Sequence, residues 1–201
     1  MGDAVELVSE EDVLGKRVAV LMTDGVEQIE YTAPRRFLEE KGVHVTLIAP
    51  KAAGEEVQGM NHDQPGERFK VELGLAQAQV ADFDALLLPG GEQNPKTLRG
   101  IPEAVAFIKA FDEADKPIAA ICHGPWPLID AGIAMSKHLT SYPAIKDDLV
   151  AAGAEWTDDE VVVDGKLVTS RKPEDIPAFN DALMKELMVI QEAGADPGTT
   201  S

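Results

Sequence analysis

The order of apolar and amphipathic segments in the first fifty residues constrains the fold more than any other feature of the sequence. An apolar run rich in β-forming residues at 17–22 is followed by an amphipathic stretch at 29–41 that ends at Gly42. A second β-rich run at 43–49 stops at Pro50. Strand, helix and strand in this order predict a βαβ unit, which requires a parallel sheet.

The alternation resumes after a polar region and continues along the chain. The further predicted elements are a small hairpin or sheet-edge excursion within 51–75, strands at 85–88 and 117–121, a flexible loop between Gly91 and residue 101, a helix at 101–114, an apolar helix ending near 132, a helix at 142–152, a strand pair at 161–169 and a last helix from 173 to about 193. We therefore expect an α/β fold with a mostly parallel sheet and a small β excursion. Residues 16–193 are predicted to form a single domain, with an N-terminal extension at 1–15 and a flexible tail at 194–201.

Charge and hydropathy restrict the classes of partner. With 18 basic and 36 acidic residues the formal net charge is −18, so the protein repels nucleic acids and anionic membranes. The sequence has no apolar run of the roughly 18 residues that a transmembrane helix needs, and its first residues do not resemble a signal peptide. The expected localisation is therefore cytoplasmic.

The single cysteine, Cys122, is the main candidate for chemistry. A single cysteine cannot form an internal disulfide, so Cys122 has three possible roles: an inert core residue, a reactive thiol or an intermolecular link. Cys122 directly follows an apolar strand and precedes His123, Gly124 and Pro125, which predicts a tight strand-to-helix elbow. We expect the following helix to stabilise a thiolate there and to lower the pKa of Cys122. His123 contributes either its side chain or only its backbone N–H.

Other candidate residues follow neighbouring strand ends, each with an ordinary alternative. Gly90 and Gly91 either form a simple turn or present N–H groups to an oxyanion beside the thiol. Glu27 either caps the next helix or hydrogen-bonds to the Cys122 sulfur. Trp126 either packs in the interior or forms a pocket wall. The Cys and His residues do not have metal-ligand spacing and no segment matches a phosphate loop, so we expect neither a metal nor a cofactor.

Four segments together carry a resemblance to a known family: Ala-Ile-Cys-His-Gly-Pro at 120–125, Leu-Leu-Leu-Pro-Gly-Gly at 86–91, Thr-Ser-Tyr-Pro at 140–143 and Val-Thr-Ser-Arg at 168–171. They resemble the PfpI family of intracellular peptidases and general stress proteins, within the class I glutamine amidotransferase-like superfamily that includes the Parkinsonism-associated deglycase. The match spans about residues 17–190. It implies a flavodoxin-like three-layer sandwich, Cys122 as nucleophile, His123 beside it and Glu27 as the carboxyl at the thiol. It also implies a homodimer or higher homo-oligomer.

The sequence departs from the peptidase pattern at one position. In the peptidase relatives, an acidic residue after the proline that follows Pro-Gly-Gly orients the histidine of a neighbouring subunit, whereas this chain has Lys96 after Pro95. Lysine cannot accept a hydrogen bond from an imidazolium, so this difference weakens a Cys-His-acid triad. Glu92 is a nearby carboxyl that could replace it.

The resemblance leaves three functional hypotheses, and we favour the first. It is a cysteine-dependent stress enzyme of the glyoxalase or deglycase type, acting on small reactive carbonyls or their protein adducts. The second is an intracellular cysteine peptidase, a hydrolase that depends on His123. The third is a redox sensor or holdase in which Cys122 is oxidised.

Overall fold

The computed structural model describes residues 13–189. The predictions for residues 1–12 of the N-terminal extension, for the end of the last helix and for the tail at 194–201 lie outside the described residues. Within the described chain the strands are β1 (Arg17–Leu21), β2 (Val26–Glu27), β3 (His44–Ala49), β4 (Glu56–Asn61), β5 (Gln64–Lys70), β6 (Leu73–Gly74), β7 (Ala85–Leu88), β8 (Ile118–Ile121), β9 (His138–Leu139), β10 (Glu155–Trp156), β11 (Val162–Asp164) and β12 (Leu167–Ser170).

Helices connect the strands. The α-helices are α1 (Gln28–Glu40), α2 (Gln93–Arg99), α3 (Pro102–Glu113), α4 (Pro127–Asp130), α5 (Lys146–Ala151) and α6 (Ile176–Val189). Short 3-10 helices cover Leu75–Gln77, Val80–Asp82, Pro143–Ile145 and Pro173–Asp175. Among the residues that the structure describes, no helix is long and apolar enough to cross a membrane.

A seven-stranded sheet in the order β11-β12-β8-β7-β1-β3-β6 forms the middle layer. Every neighbouring pair in it is parallel except β11 and β12, which form the predicted strand pair. Because side chains alternate across a strand, β1 sends Val18 and Val20 to one core and Ala19 and Leu21 to the other. One core contains residues of α1 and α6, and the other contains residues of α2 to α5. The mixed α/β architecture and the mostly parallel sheet are as predicted.

The β excursion is a hairpin of β4 and β5, and it does not extend the central sheet. β4 pairs in parallel with β2, so the hairpin forms a separate three-stranded sheet above the end of β1. The backbone N–H of Gln58 also bonds to the carboxylate of Asp24. These contacts hold the hairpin turn over the edge of the central sheet at which the parallel strands end.

The prediction of a flexible loop between Gly91 and residue 101 was wrong, because α2 lies there. Pro95 favoured a loop, but proline is tolerated in the first turn of a helix, where the N–H groups have no helical partner. Asn94 and Leu98 on this helix are buried, so tertiary packing stabilises a segment whose local sequence predicts irregular structure.

Candidate active site

Cys122 lies in a strained elbow directly after β8, as its sequence context predicts. Its φ is 63°, a left-handed conformation that is uncommon for residues other than glycine. The backbone is held from both sides, since the Cys122 N–H donates to Ser170 O at 3.0 Å and the Cys122 carbonyl accepts from Tyr142 N at 2.8 Å. These bonds fix the thiol at the carboxyl edge of the sheet, where it is 8% exposed.

Glycine is required two residues later for a steric reason. A Cβ at Gly124 would lie 2.3 Å from Leu88 O and 2.7 Å from Ile121 O. Both atoms are backbone oxygens of central strands and cannot move aside. Gly124 therefore lets the chain turn tightly enough to project Cys122 from the sheet.

The carboxyl beside the Cys122 thiol belongs to Glu30, in the first turn of α1, and its charge acts on the thiol. Glu30 is fully buried, and its Oε1 accepts a hydrogen bond from Gly90 N at 3.1 Å. In the described part of the chain Oε2 makes no hydrogen bond. The buried carboxyl therefore lies beside the thiol with one oxygen unpartnered.

This contact corrects the expectation for Glu27. Glu27 ends β2 in an extended conformation immediately before α1, so its side chain points towards the hairpin instead of the sheet. Both of its carboxylate oxygens lie 3.2 Å from the backbone N of His62 in the hairpin turn. Glu27 still lines the cleft, but it contacts the hairpin and not the thiol.

The ionisation of the two buried groups is coupled. Burial and, next, the charge of Glu27 raise the pKa of Glu30 to about 8. Burial and, next, the charge of Glu30 raise the pKa of Cys122, against the opposing effect of hydrogen bonds from the N–H groups of His123 and Gly91. Since Glu30 keeps its proton below about pH 8, its repulsion of a thiolate is absent there. The pair then carries at most one negative charge, and Glu30 can donate its proton to the sulfur.

The expected lowering of the Cys122 pKa by a helix N-terminus is not what the structure gives. Turns follow Cys122, and α4 begins only at Pro127 and has four residues. The donors at the sulfur are instead the individual N–H groups of His123 and Gly91.

The two glycines after β7 have different roles. Gly90 donates to the Glu30 carboxyl, so its N–H is not free for an oxyanion. The N–H of Gly91 is directed at the thiol and at Glu30. When the sulfur attacks a carbonyl carbon, the oxyanion on that carbon would therefore meet the N–H groups of Gly91 and His123 as donors.

The His123 side chain lies beside the thiol. Its Nδ1 is 3.3 Å from Cys122 Sγ, and its ring stacks on Tyr142 with centroids 4.8 Å apart. Burial lowers the pKa of His123, although the charge of Glu92 acts in the opposite direction. Among residues 13–189 no carboxylate hydrogen-bonds to this ring, and Lys96 is exposed on α2. A third member of a peptidase triad is thus absent from the described chain.

These groups open into a cleft of about 930 Å³. Its lining includes Cys122, Glu30, Glu27, Gly91, His123, Trp126, Tyr142 and Lys172, together with the hairpin turn at 61–63. Trp126 packs against the core and also forms a wall of the cleft. Its ring is held in place because its Nε1 donates to Asp148 at 3.0 Å and the Arg99 guanidinium lies over the ring at 4.8 Å. Among the described residues, no group of three His, Cys, Asp or Glu side chains is placed to hold a metal ion.

A family model described as DJ-1/PfpI family matches residues 16–186. The chain belongs to the DJ-1/PfpI family.

Similar proteins in this family include one named "Putative cysteine protease YraA" from Bacillus subtilis (strain 168), 46% identical over 83% of this chain and 95% of that protein. "Uncharacterized protein SAV1875" from Staphylococcus aureus (strain Mu50) is 41% identical over 86% of this chain and 98% of that protein. Among solved structures, DJ-1beta from Drosophila melanogaster aligns with a TM-score of 0.78 and 30% identity, covering 89% of this chain and 95% of the other.

Sequence reasoning missed two residues of the DJ-1/PfpI site, and one of them left a signal. Glu30 is four residues before Pro34 and eight before Leu38, so all three share the buried face of α1. A glutamate on an otherwise buried helix face is unusual and indicates a special role. Asn94 gave no such signal, because it lies in a segment predicted to be a loop.

Asn94 organises the Pro-Gly-Gly segment of this DJ-1/PfpI chain. It is fully buried, and its Oδ1 accepts from Thr23 N at 2.7 Å. Its Nδ2 donates to Pro89 O at 3.1 Å and to Gly90 O at 3.0 Å. One amide thereby joins the segment after β1 to the backbone that precedes Gly91.

Proposed function

We propose that the protein is a cysteine-dependent enzyme that acts on small reactive carbonyls or their protein adducts. The observation that carries the proposal is the pairing of the Cys122 thiol with the buried, proton-bearing Glu30 carboxyl. This pairing supplies a nucleophile and a proton carrier to a carbonyl group without the help of a histidine base.

The proposed reaction with methylglyoxal and water is redox-neutral overall. The thiol releases its proton to solvent as sulfur adds to the aldehyde carbon, and Glu30 gives its own proton to the carbonyl oxygen, which yields a hemithioacetal and a Glu30 carboxylate. The N–H groups of Gly91 and His123 stabilise the negative charge that develops on that oxygen. The Glu30 carboxylate then takes the proton from the former aldehyde carbon and returns it to the neighbouring carbon, while the hydroxyl proton passes to the ketone oxygen, giving a thioester. Hydrolysis of the thioester by water releases lactic acid and the free thiol, and the acid returns a proton to Glu30 as it leaves as lactate.

A peptidase is less well supported by the same geometry, although a similar protein bears a protease name. Peptide hydrolysis needs a protonated base to release the amine, and the lowered pKa of His123 keeps its ring neutral. No described carboxylate is bonded to that ring to stabilise its protonated form.

Oxidation of Cys122 is a second candidate function with an observation in its favour. A protonated Glu30 and the N–H groups of Gly91 and His123 surround the sulfur and would hydrogen-bond to the oxygens of a sulfinate. In this alternative the protein responds to peroxide without turning over a carbonyl.

The deciding experiment measures methylglyoxal consumption and peptide cleavage on the same samples of wild type, Cys122→Ser, Glu30→Gln and His123→Ala. The proposal expects consumption by wild type, none by Cys122→Ser, a loss of at least about 100-fold in Glu30→Gln and a smaller loss in His123→Ala. Peptide cleavage that disappears in His123→Ala would support the peptidase. If neither substrate is turned over, mass spectrometry of Cys122 after peroxide treatment tests the sensor function.

We further propose that the protein is cytoplasmic and forms a homodimer or higher homo-oligomer, as the family resemblance implies. Light scattering on the purified full chain measures the oligomeric state, and a monomer at micromolar concentration would refute that part.

A further inference from the structure

The mouth of the cleft carries charges of mainly one sign. Four carboxylates line it, on Glu27, Asp63, Glu92 and Glu174, against the single ammonium of Lys172. Within the described chain none of these five side chains forms an ion pair. Their charges are therefore not neutralised locally and act on whatever enters the cleft.

The carboxylates lie on opposite sides of the thiol. Glu92 follows Gly91 directly and precedes α2, and its charge already acts on the His123 ring. Glu174 lies in the 3-10 helix at 173–175, after the β12 strand that borders β8. The cleft at Cys122 is therefore lined by a carboxylate on either side of β8.

The floor of the cleft is a second, independent indication of the ligand. Glu30 is fully buried, lines the cleft and has an Oε2 atom that makes no hydrogen bond among the described residues. As a neutral acid it can donate to a carbonyl oxygen, and it offers no positive charge to an anion. The floor therefore suits an uncharged polar group, while the mouth disfavours negative charge.

We propose that the cleft selects uncharged or cationic carbonyl compounds and rejects anionic ones, with Glu92 and Glu174 as residues that determine this specificity. The restriction to carbonyl compounds rests on the proposed function. The selection by charge does not, because it concerns access of any reagent to the Cys122 thiol.

Alkylation of Cys122 tests the selection without any turnover. A thiolate attacks iodoacetamide and iodoacetate by the same displacement of iodide, and the two reagents differ by one negative charge. The ratio of their rate constants is measured for the full-length protein and for free cysteine at the same pH, which cancels the intrinsic difference between the reagents. We expect the ratio of the iodoacetate to the iodoacetamide rate constant to be about 10-fold lower for the protein than for free cysteine. This difference should become smaller at high salt, which screens the carboxylates.

Charge variants identify the responsible residues. Glu92→Gln and Glu174→Gln should each bring the ratio closer to that of free cysteine, and Lys172→Gln should move it further away. Glu103→Gln removes the same charge from an exposed position on α3, outside the cleft, and should leave the ratio unchanged. A wild-type ratio equal to that of free cysteine overturns the proposal, and so does an equal response to Glu103→Gln and the two cleft variants.

A second measurement separates this inference from the proposed function. Turnover of uncharged phenylglyoxal is compared with turnover of 4-carboxyphenylglyoxal, an anion with the same 2-oxoaldehyde group, in wild type and Glu174→Gln. A preference for phenylglyoxal that becomes smaller in the variant supports charge selection of substrates. If neither is turned over while the alkylation ratio behaves as expected, the carbonyl reaction is refuted and the charge selection of the cleft is supported.

Discussion

The thiol of Cys122 and the fully buried carboxyl of Glu30 lie side by side and influence each other's ionisation, although 92 positions of sequence separate them. The elbow after β8 supplies the sulfur, and the first turn of α1 supplies the acid. Glu27, one turn earlier, contacts the hairpin instead.

The two glutamates should therefore differ in their effect on carbonyl turnover. Glu30→Gln keeps the shape of the side chain but cannot carry the proton, so kcat should fall at least about 100-fold. Glu27→Gln retains an oxygen for the His62 N–H and should lower kcat by less than about 10-fold. Steady-state kinetics with methylglyoxal measure both, and a larger loss in Glu27→Gln would contradict the assignment.

The pKa of Glu30 predicts a dependence of stability on pH. Between about pH 4.5, where the unfolded carboxyl ionises, and about pH 8, only the folded state holds this proton. Because the folded state binds more protons, the free energy of unfolding of wild type should fall as pH rises through this range, relative to the non-titrating Glu30→Gln. The total change is on the order of 5 kcal/mol.

Urea unfolding of both proteins at a series of pH values measures this difference. A difference between wild type and Glu30→Gln that stays constant from pH 5 to pH 8 would show that Glu30 ionises normally despite its burial.

Asn94 is predicted to position the Gly91 N–H at the thiol. Asn94→Asp keeps the acceptor for Thr23 N–H but loses the donors to Pro89 O and Gly90 O. We expect kcat to fall about 10-fold or more with little change in KM, because the oxyanion donor shifts. Asn180→Ala, a buried amide on α6 outside the cleft lining, is the matched control. Loss of stability without loss of kcat in Asn94→Asp would leave Asn94 a structural role only.

Gly124→Ala tests the steric basis of the elbow. The added methyl group would meet the backbone oxygens of Leu88 and Ile121 at 2.3 and 2.7 Å, so we expect a loss of about 2 to 4 kcal/mol in unfolding free energy or failure to fold. Gly100→Ala is the control, since the nearest atom to its Cβ would be Thr97 O at an ordinary 3.5 Å. Denaturant unfolding compares the two, and equal stabilities would disprove the clash.

The sequence determined the features that depend on local pattern. Alternating apolar runs and amphipathic stretches specified the α/β class and β1, α1 and β3, because burial of one face imposes a period on nearby residues. The Cys-His-Gly-Pro run specified the elbow, because few other residues allow so tight a turn. The four motifs were enough to indicate the family.

Only the tertiary structure decided which carboxyl meets the sulfur. Glu27 and Glu30 are three residues apart, and the choice between them depends on where α1 begins and on which face it turns towards the sheet. The helical state of 93–99 and the role of Asn94 likewise depend on packing between distant segments. The pKa values depend on burial, which arises only when β7, β8 and α1 come together, so local sequence does not contain them.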